Sequence, residues 1–308
     1  MSQFFSFLEP IHSLWWAIFG RSLQWLLYTI YGAVQGVPFL ATIGAYGVAV
    51  IVITLIIRAL LAPLLQFQLV TSRRAMVEQR KLGPQVAELR KKYKKDPQRL
   101  NTETMKLYQE HGINPLGQFV GCLPMVLQMP VLIALYYVFT AFAKTSHTAA
   151  HFLFVPNLNE YPNHHVLFSG LPIPSDPVYL LFPILAAATT FVQSKMMQMP
   201  PAPNPTEQEQ QTQQMQRTMV LISPLMILFF SLNVPAGLGL YWFVGNTVSI
   251  IQQSFVVGWG NVLPGRKPPL AGGPPAANGQ KPAARLPSRP INKPKNRALR
   301  QGKESERR

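Results

Sequence analysis

The sequence predicts an all-α, polytopic membrane protein, and three observations carry this prediction. The chain is 48% hydrophobic and only 13% charged, whereas soluble domains carry about 25% charged residues. Its positive charge is concentrated, because 23 of its 28 lysines and arginines lie in residues 66–115 and 261–308. Elsewhere the chain contains apolar runs long enough to cross a bilayer. Five such runs are predicted as transmembrane helices, at residues 41–65, 116–142, 178–199, 218–234 and 238–258.

Residues 1–40 form an aromatic-rich, amphipathic segment ahead of the first span. Tryptophan and tyrosine favour the headgroup layer of a membrane, so we expect a helix that lies in the interface on the outer side. A cleaved signal peptide is disfavoured, because no basic region precedes an apolar core. The alternative places residues 11–31 across the membrane as an additional span, which would bury Arg21 at its centre.

The first span carries one arginine, Arg58, within the apolar run VAVIVITLIIRALLAPLL of residues 48–65. An arginine inside hydrocarbon costs at least ~2.5–3.5 kcal/mol on insertion-based scales. In one interpretation its side chain extends to the nearby basic interface. In the other, Arg58 belongs to a polar helix face that includes Thr54, four residues earlier.

Residues 66–115 differ from the spans, since they are polar and carry eleven basic residues against five acidic ones. Apolar residues recur there at helical spacing, and KKDPQRL supplies a turn with Asp96 as N-cap and Pro97 at the first helical position. We therefore predict a helical hairpin, which its positive charge places in the cytoplasm.

The later connections are predicted from their charge and composition. Residues 143–177 contain one basic residue, which favours the outer side, and residues 200–217 form a cytoplasmic loop. Residues 261–308 are rich in proline, glycine and basic residues, so we expect a disordered cytoplasmic tail. With five spans, this arrangement puts the N-terminus outside and the C-terminus inside the cell.

No metal or cofactor site is predicted. The lone cysteine, Cys122, excludes a cysteine zinc cluster. The adjacent His164 and His165 do not share a helix face, so a loop surface is favoured over a metal site. No nucleophile–base arrangement or phosphate-binding loop appears, which argues against an enzyme.

Polar side chains also mark other spans. They could form interhelical hydrogen bonds, each worth only ~0.6–2 kcal/mol. Together with Arg58 they favour a shared hydrated groove, and the absence of Asp, Glu and His from all five spans disfavours a proton-coupled transporter. They are Gln128 in the second span, Thr189 and Gln193 in the third, and Trp242, Asn246, Ser249 and Gln253 along one face of the fifth.

Three stretches resemble one known family. They are TLIIRALLAPL, GINPLGQFVGCLPMVLQMPVLIALYYV and NVPAGLGLYWFVGNTVSIIQQ, and the likeness covers residues 41–258 in the family's order. The chain resembles the YidC/Oxa/Alb membrane protein insertases, and in particular the bacterial YidC type without a large periplasmic domain. The resemblance implies a five-span core with a hydrophilic groove that is open to the cytoplasm and to lipid but closed on the outer side.

The resemblance also implies roles for particular residues. The groove arginine of the family falls at Arg58, and polar groove positions fall at Thr54, Gln193 and Trp242. Positions associated with contact to the substrate span fall at Phe230 and Tyr241. From the polar faces we add Gln128 and Asn246 to the groove.

We expect a membrane protein insertase and chaperone of the bacterial plasma membrane, with no covalent chemistry. Its expected partners are nascent membrane proteins and the lipid bilayer. The ribosome would contact the basic tail and hairpin without sequence-specific nucleic-acid recognition, and the Sec translocon and signal recognition particle pathway are further candidates. A small-solute transporter or channel, or a membrane-tethered ribosome-binding scaffold, are the alternatives.

Overall fold

The computed structural model describes residues 13–111, 123–145, 150–164, 166–168, 171–174, 176–198, 207–256, 258–259 and 262. Several predicted features lie outside these residues: the first twelve residues, Cys122, His165, residues 200–206 of the loop predicted at 200–217, and the predicted tail apart from residue 262. The start of the second predicted span, 116–122, also lies outside them.

The described residues are predominantly helical, which confirms the all-α prediction. One exception lies in the predicted outer loop, where strand β1 (Val166–Phe168) pairs antiparallel with β2 (Leu171–Pro174). A π-helix, Trp16–Gly20, leads into the first α-helix. The α-helices are α1 (Arg21–Gln35), α2 (Pro38–Lys81), α3 (Gly83–Lys92), α4 (Pro97–Glu110), α5 (Leu123–Thr145), α6 (Leu181–Met197), α7 (Glu207–Leu232) and α8 (Ala236–Val256).

Helix α2 contains the first predicted span but continues beyond it to Lys81. Pro63 lies inside the helix, where a proline removes one backbone hydrogen bond. Residues 66–81 contain neither glycine nor proline and many strong helix formers, so the helix resumes after the proline. The segment 66–81, predicted as the start of the cytoplasmic hairpin, is therefore the continuation of the first span's helix.

The hairpin itself consists of α3 and α4. Asp96 caps α4, because its carboxylate accepts a hydrogen bond from the backbone N–H of Arg99 at 3.0 Å, and Pro97 is the first helical residue. Both features confirm the turn predicted from KKDPQRL. Leu82 and Val86 are buried, so the first helix of the hairpin contributes its apolar face to packing.

Three helical segments among the described residues are long and apolar enough to cross a membrane: Pro38–Glu78, Pro177–Met197 and Gln213–Leu232. Helix α8 has 21 residues, but the polar residues along its face lower its mean hydropathy. In α5 the apolar stretch is Gln128–Phe142. The count of five spans therefore remains a prediction. Large apolar side chains such as Leu60 and Phe229 are exposed on these helices, as contact with lipid requires.

Helix α6 packs against both α7 and α8, and α8 packs against α2. The main hydrophobic core lies where α2, α5 and α8 meet, near the N-terminal ends of α2 and α8. Aromatic rings dominate it, with Tyr46 stacked on Phe142 at 4.5 Å between ring centroids. Its largest fully buried members are Leu27, Tyr46, Ile53, Leu135, Phe139, Phe142, Leu158, Leu238, Leu240 and Tyr241.

Residues 150–164 fold over this end of the bundle, which we call the loop end. The Leu153 N–H donates to the carbonyl of Ile43 at 2.9 Å, just before the break at Gly44, whose φ is +123°. At the start of α8, the N–H groups of Ala236 and Gly237 donate to loop carbonyls at 2.9 and 2.8 Å. Helix N-termini leave such donors without helical partners, so the loop caps α8. The opposite end, where α2 leads into α3, is the hairpin end.

Candidate functional site

A cavity of about 530 Å³ lies between α2, α6, α7 and α8. Its described lining contains one arginine, six glutamines, four serines and four methionines, and no carboxylate. The lining residues are Arg58, Leu65, Gln68, Leu69, Ser72 and Met76 of α2; Gln193, Ser194, Met197 and Gln198 at the end of α6; Met215, Gln216, Met219, Val220 and Ser223 of α7; and Ser249, Gln252 and Gln253 of α8.

Arg58 provides the positive charge of this cavity. Its Nη1 donates a hydrogen bond to the hydroxyl of Ser249 at 2.9 Å. Its Nε is buried and has no hydrogen-bond partner among the described residues. A buried guanidinium with one neutral partner is only partly compensated, and a buried polar group without a partner costs free energy. Arg58 can therefore gain from an acceptor that enters the cavity.

Gly245 of α8 makes room for this guanidinium. A Cβ at position 245 would lie 2.6 Å from Nη2 and 3.0 Å from Nε of Arg58. Real Cβ atoms essentially never approach another heavy atom to less than 3.0 Å, so a side chain at position 245 would force the guanidinium to move. The glycine therefore allows Arg58 to lie against the backbone of α8 beside Ser249.

The glutamines extend the polar lining from Arg58. Gln252 donates from Nε2 to the carbonyl of Ala62 at 3.0 Å, which connects α8 to α2. Gln253 is buried, and its Oε1 has no hydrogen-bond partner in the described part of the chain. Arg58 Nε and Gln253 Oε1 are thus one buried donor and one buried acceptor without a hydrogen-bond partner among the described residues. An extended peptide presents the complementary groups, C=O and N–H.

Two predicted groove residues are buried and satisfied within the bundle. Thr54 is fully buried and donates to the carbonyl of Val50 at 2.6 Å. Asn246 is also buried; it donates to the hydroxyl of Thr190 at 2.8 Å and to the carbonyl of Ala186 at 3.3 Å. Its contacts join α8 to α6. Neither residue lines the cavity.

The other predicted residues divide between the cavity and the rest of the bundle. Gln193 lines the cavity with Arg58. Gln128 donates to the hydroxyl of Tyr241 at 2.6 Å, and Tyr241 is fully buried. Trp242 is half-buried against the hydrophobic core, and Phe230 is 50% exposed on α7.

Three α2 residues beyond the predicted span were not predicted as part of the site. Gln68, Ser72 and Met76 line the cavity, but they belong to the segment that polarity assigned to the hairpin. Their spacing of four residues continues the helix face that carries Arg58. Extending the helical period through Pro63 would have found them.

Arg73, on the same helical extension, is a second buried cation. Its side chain is 4% exposed, and its Nη1 donates to the carbonyl of Met197 at 3.2 Å. Met197 is the last residue of α6, where carbonyl groups lack helical partners and a cation is favoured. Arg73 thus ties α2 to the hairpin end of α6. Among the described residues, no group of three histidines, cysteines or acids could hold a metal ion.

A family model and individual relatives with similar sequences indicate the same family for this chain. The family model described as "60Kd inner membrane protein" matches residues 39–260. The "Membrane protein insertase YidC 1" of Halalkalibacterium halodurans is 35% identical over 266 residues, covering 84% of this chain and 86% of the relative. The "Membrane protein insertase YidC" of Pelobacter propionicus is 36% identical over 244 residues, covering 77% of this chain and 41% of that longer relative.

Among solved structures, the chain is similar to one described as "Active YidC insertase crystal structure with the first transmembrane domain resolved". The TM-score is 0.46 at 22% sequence identity. The alignment covers 76% of this chain and 45% of the other.

Proposed function

Since the chain belongs to the 60Kd inner membrane protein family, and relatives aligned over most of its length are named membrane protein insertases, we propose that it inserts nascent membrane proteins into a bacterial membrane and assists their folding. This is the function expected from the family resemblance. A non-enzymatic role follows from the same membership, because an insertase moves and folds its substrate without covalent chemistry. The cavity around Arg58 supports the proposal.

The observation that carries the proposal is a partly compensated cation in a cavity without a described carboxylate. Attraction between opposite charges strengthens as the local dielectric falls. Arg58 would therefore bind acidic side chains and backbone carbonyls of a peptide that enters the cavity. Because binding replaces part of the lost hydration, it lowers the cost of moving a polar flank into the membrane.

The apolar part of the substrate follows a different route. While its polar flank occupies the cavity, the future transmembrane segment slides along the lipid-facing sides of α6 and α8. Transfer of apolar surface out of water supplies part of the driving force. The membrane potential adds about 2.3 kcal/mol per charge for each 100 mV when acidic residues cross to the positive side. In this mechanism the groove residues are Arg58, Gln193 and their neighbours in the cavity.

The orientation and further partners are part of the proposal. Eleven basic residues in residues 66–115 favour a cytoplasmic position for the hairpin end, which leaves the N-terminus outside. The basic tail suits contact with ribosomal RNA, since a polycation binds phosphate backbones without reading sequence. The hairpin would receive ribosome, targeting factor or substrate, and the protein would act alone or beside the Sec translocon.

Reconstitution tests the function directly. The full chain in proteoliposomes should insert a single-span substrate with a short acidic outer tail, and that tail should become protected from added protease. Protein-free liposomes of the same composition provide the baseline. Equal protection with and without the protein would contradict the proposal. Flux of small solutes through the same proteoliposomes, in the absence of insertion, would favour a channel instead.

A further inference from the structure

The cavity has two chemically different ends. In its lining, Ser194 of α6 and Ser223 of α7 lie 3.1 Å apart between their hydroxyl oxygens, where these two helices pack together. On one side of this pair lies Arg58 with Ser249. On the other side, towards the hairpin end, lie all four methionines of the lining, together with the polar Gln198 and Gln216.

Three helices contribute these methionines. Met197 follows Ser194 by nearly one turn of α6, and Met219 and Met215 precede Ser223 by one and two turns of α7. Met76 lies on α2, about 27 Å along the helix from Arg58 at 1.5 Å per residue. We call Met76, Met197, Met215 and Met219 the methionine mouth.

Two observations favour the methionine mouth as an accessible binding surface. Met215 and Met219 remain 62% and 60% exposed although they line the cavity. On the side formed by α2 and α6, Arg73 fixes the two backbones relative to each other, because it lies one turn before Met76 and donates to the carbonyl of Met197. The mouth thus combines fixed backbones with flexible, polarizable side chains. Surfaces of this kind adapt to apolar partners of varied shape.

We propose that the methionine mouth binds apolar side chains at the leading end of a substrate's transmembrane segment, while the polar flank ahead of it reaches Arg58. This inference rests on the proposed insertase function and names its substrate class more closely. An extended chain spans about 3.3–3.6 Å per residue. The distance along α2 then corresponds to about eight residues between the group bound at Arg58 and the first apolar side chain in the mouth.

The inference is tested with the full chain in proteoliposomes and a stalled nascent chain. The nascent chain carries a photoreactive leucine at the first position of its apolar segment and an acidic residue in the flank. The variant M215Q/M219Q should lower crosslinking to α7 and the insertion rate at limiting substrate by about fivefold, the scale of partly losing two apolar contacts. M215L/M219L should keep both near the wild-type values.

Met226 provides a matched control. It lies on the same helix, is 47% exposed, and does not line the cavity. M226Q should leave crosslinking and insertion unchanged. M76Q, on α2, provides a second polar variant on the opposite wall, and it should lower crosslinking as well. Thermal unfolding of each variant separates misfolding from loss of binding.

The spacing between flank and apolar segment gives a second readout. Crosslinking in the wild type should be highest when about eight residues separate the acidic residue from the first apolar one. The inference would be overturned if crosslinking did not depend on this spacing, or if M215Q/M219Q and the wild type crosslinked equally. In either case, insertion by the wild type would still support the proposed function. Failure of the wild type to insert any substrate would overturn the function itself.

Discussion

Gly245 and Arg58 form a close backbone-to-guanidinium contact between α8 and α2, in which a Cβ at position 245 would lie 2.6 Å from Nη2 of the arginine. The contact fixes where the charge of the cavity lies. It brings the guanidinium to Ser249, its hydrogen-bond partner at 2.9 Å. The absence of a side chain at one residue thus sets the position of a charge on another helix.

Gly245→Ala should displace the guanidinium from Ser249. We expect a loss of about 1–3 kcal/mol in stability from overpacking, together with reduced insertion of substrates with acidic tails. Gly32→Ala is the matched control, because a Cβ there would meet nothing within 4 Å. Protease protection in proteoliposomes and thermal unfolding measure the two effects. If Gly245→Ala behaves like Gly32→Ala in both, the contact is unimportant.

Replacement of Arg58 separates charge from geometry. Arg58→Ala and Arg58→Glu should reduce insertion of single-span substrates with acidic outer tails by about tenfold, the equivalent of one charge-assisted hydrogen bond of about 1.4 kcal/mol. Arg58→Lys should retain much of the activity, since the arginine makes a single hydrogen bond to Ser249 rather than a bidentate contact. A substrate with a neutral tail serves as control. Unchanged insertion by Arg58→Ala would mean that the Arg58 side chain has no role in substrate binding and only extends to the membrane interface.

Tyr241 should prove important for stability. Tyr241→Phe leaves the amide of Gln128 without the hydroxyl acceptor that lies at 2.6 Å. A partly buried donor that loses its partner costs at most about 1–3 kcal/mol, so the unfolding temperature in detergent should fall. Tyr137→Phe is the control, because Tyr137 is 48% exposed on α5. An unchanged unfolding temperature for Tyr241→Phe would contradict the prediction.

The contact between Gly47 and Phe152 predicts a compensating pair. A Cβ at Gly47 would collide with the ring of Phe152, so Gly47→Ala should lower stability by about 1–3 kcal/mol. Phe152→Ala in the same chain should recover part of this loss, because the ring that causes the collision is gone. A double-mutant cycle of unfolding free energies measures the coupling. Strictly additive effects would show that the loop does not press against Gly47.

Truncation after Leu263 tests the proposed ribosome contact. Removal of the basic tail should weaken co-sedimentation with ribosomes, and the remaining binding should depend less steeply on salt, since fewer counterions are released. A tail of equal length with its lysines and arginines replaced by glutamine is the control for length. Undiminished co-sedimentation of both variants would assign the contact to the hairpin.

Residues of the cavity are predictable from the sequence where the signal is local. The insertion cost of Arg58 and the helical spacing of Ser249 and Gln253 are read within single helices, and these residues do line one cavity. The same spacing cannot distinguish a polar residue that faces a cavity from one whose hydrogen bonds are made within its own helix or to a neighbouring helix. Thr54 bonds its own helix and Asn246 bonds α6, although both share a face with cavity residues.

Features that depend on the tertiary structure were not accessible in this way. Residues 66–81 are polar enough to suggest the start of the hairpin. Only the cavity that they line together with α6 and α7, and the hydrogen bond from Arg73 to Met197, show that they extend the first helix into the cavity wall. The methionines come from three helices that are distant in sequence. The short hairpin of β1 and β2 was also not predicted, because its strands are only three and four residues long.

The loop over residues 150–164 has a consequence for the ion permeability of the membrane. Its three backbone hydrogen bonds to Ile43, Ala236 and Gly237 tie together the starts of α2 and α8. A polypeptide that left through this end would have to break all three, at about 1 kcal/mol each and more if the groups stay buried. Departure sideways between helices breaks none of them. If the transmembrane segment of the substrate leaves sideways, as the proposed mechanism requires, these hydrogen bonds stay closed and the membrane potential that draws acidic residues across is preserved.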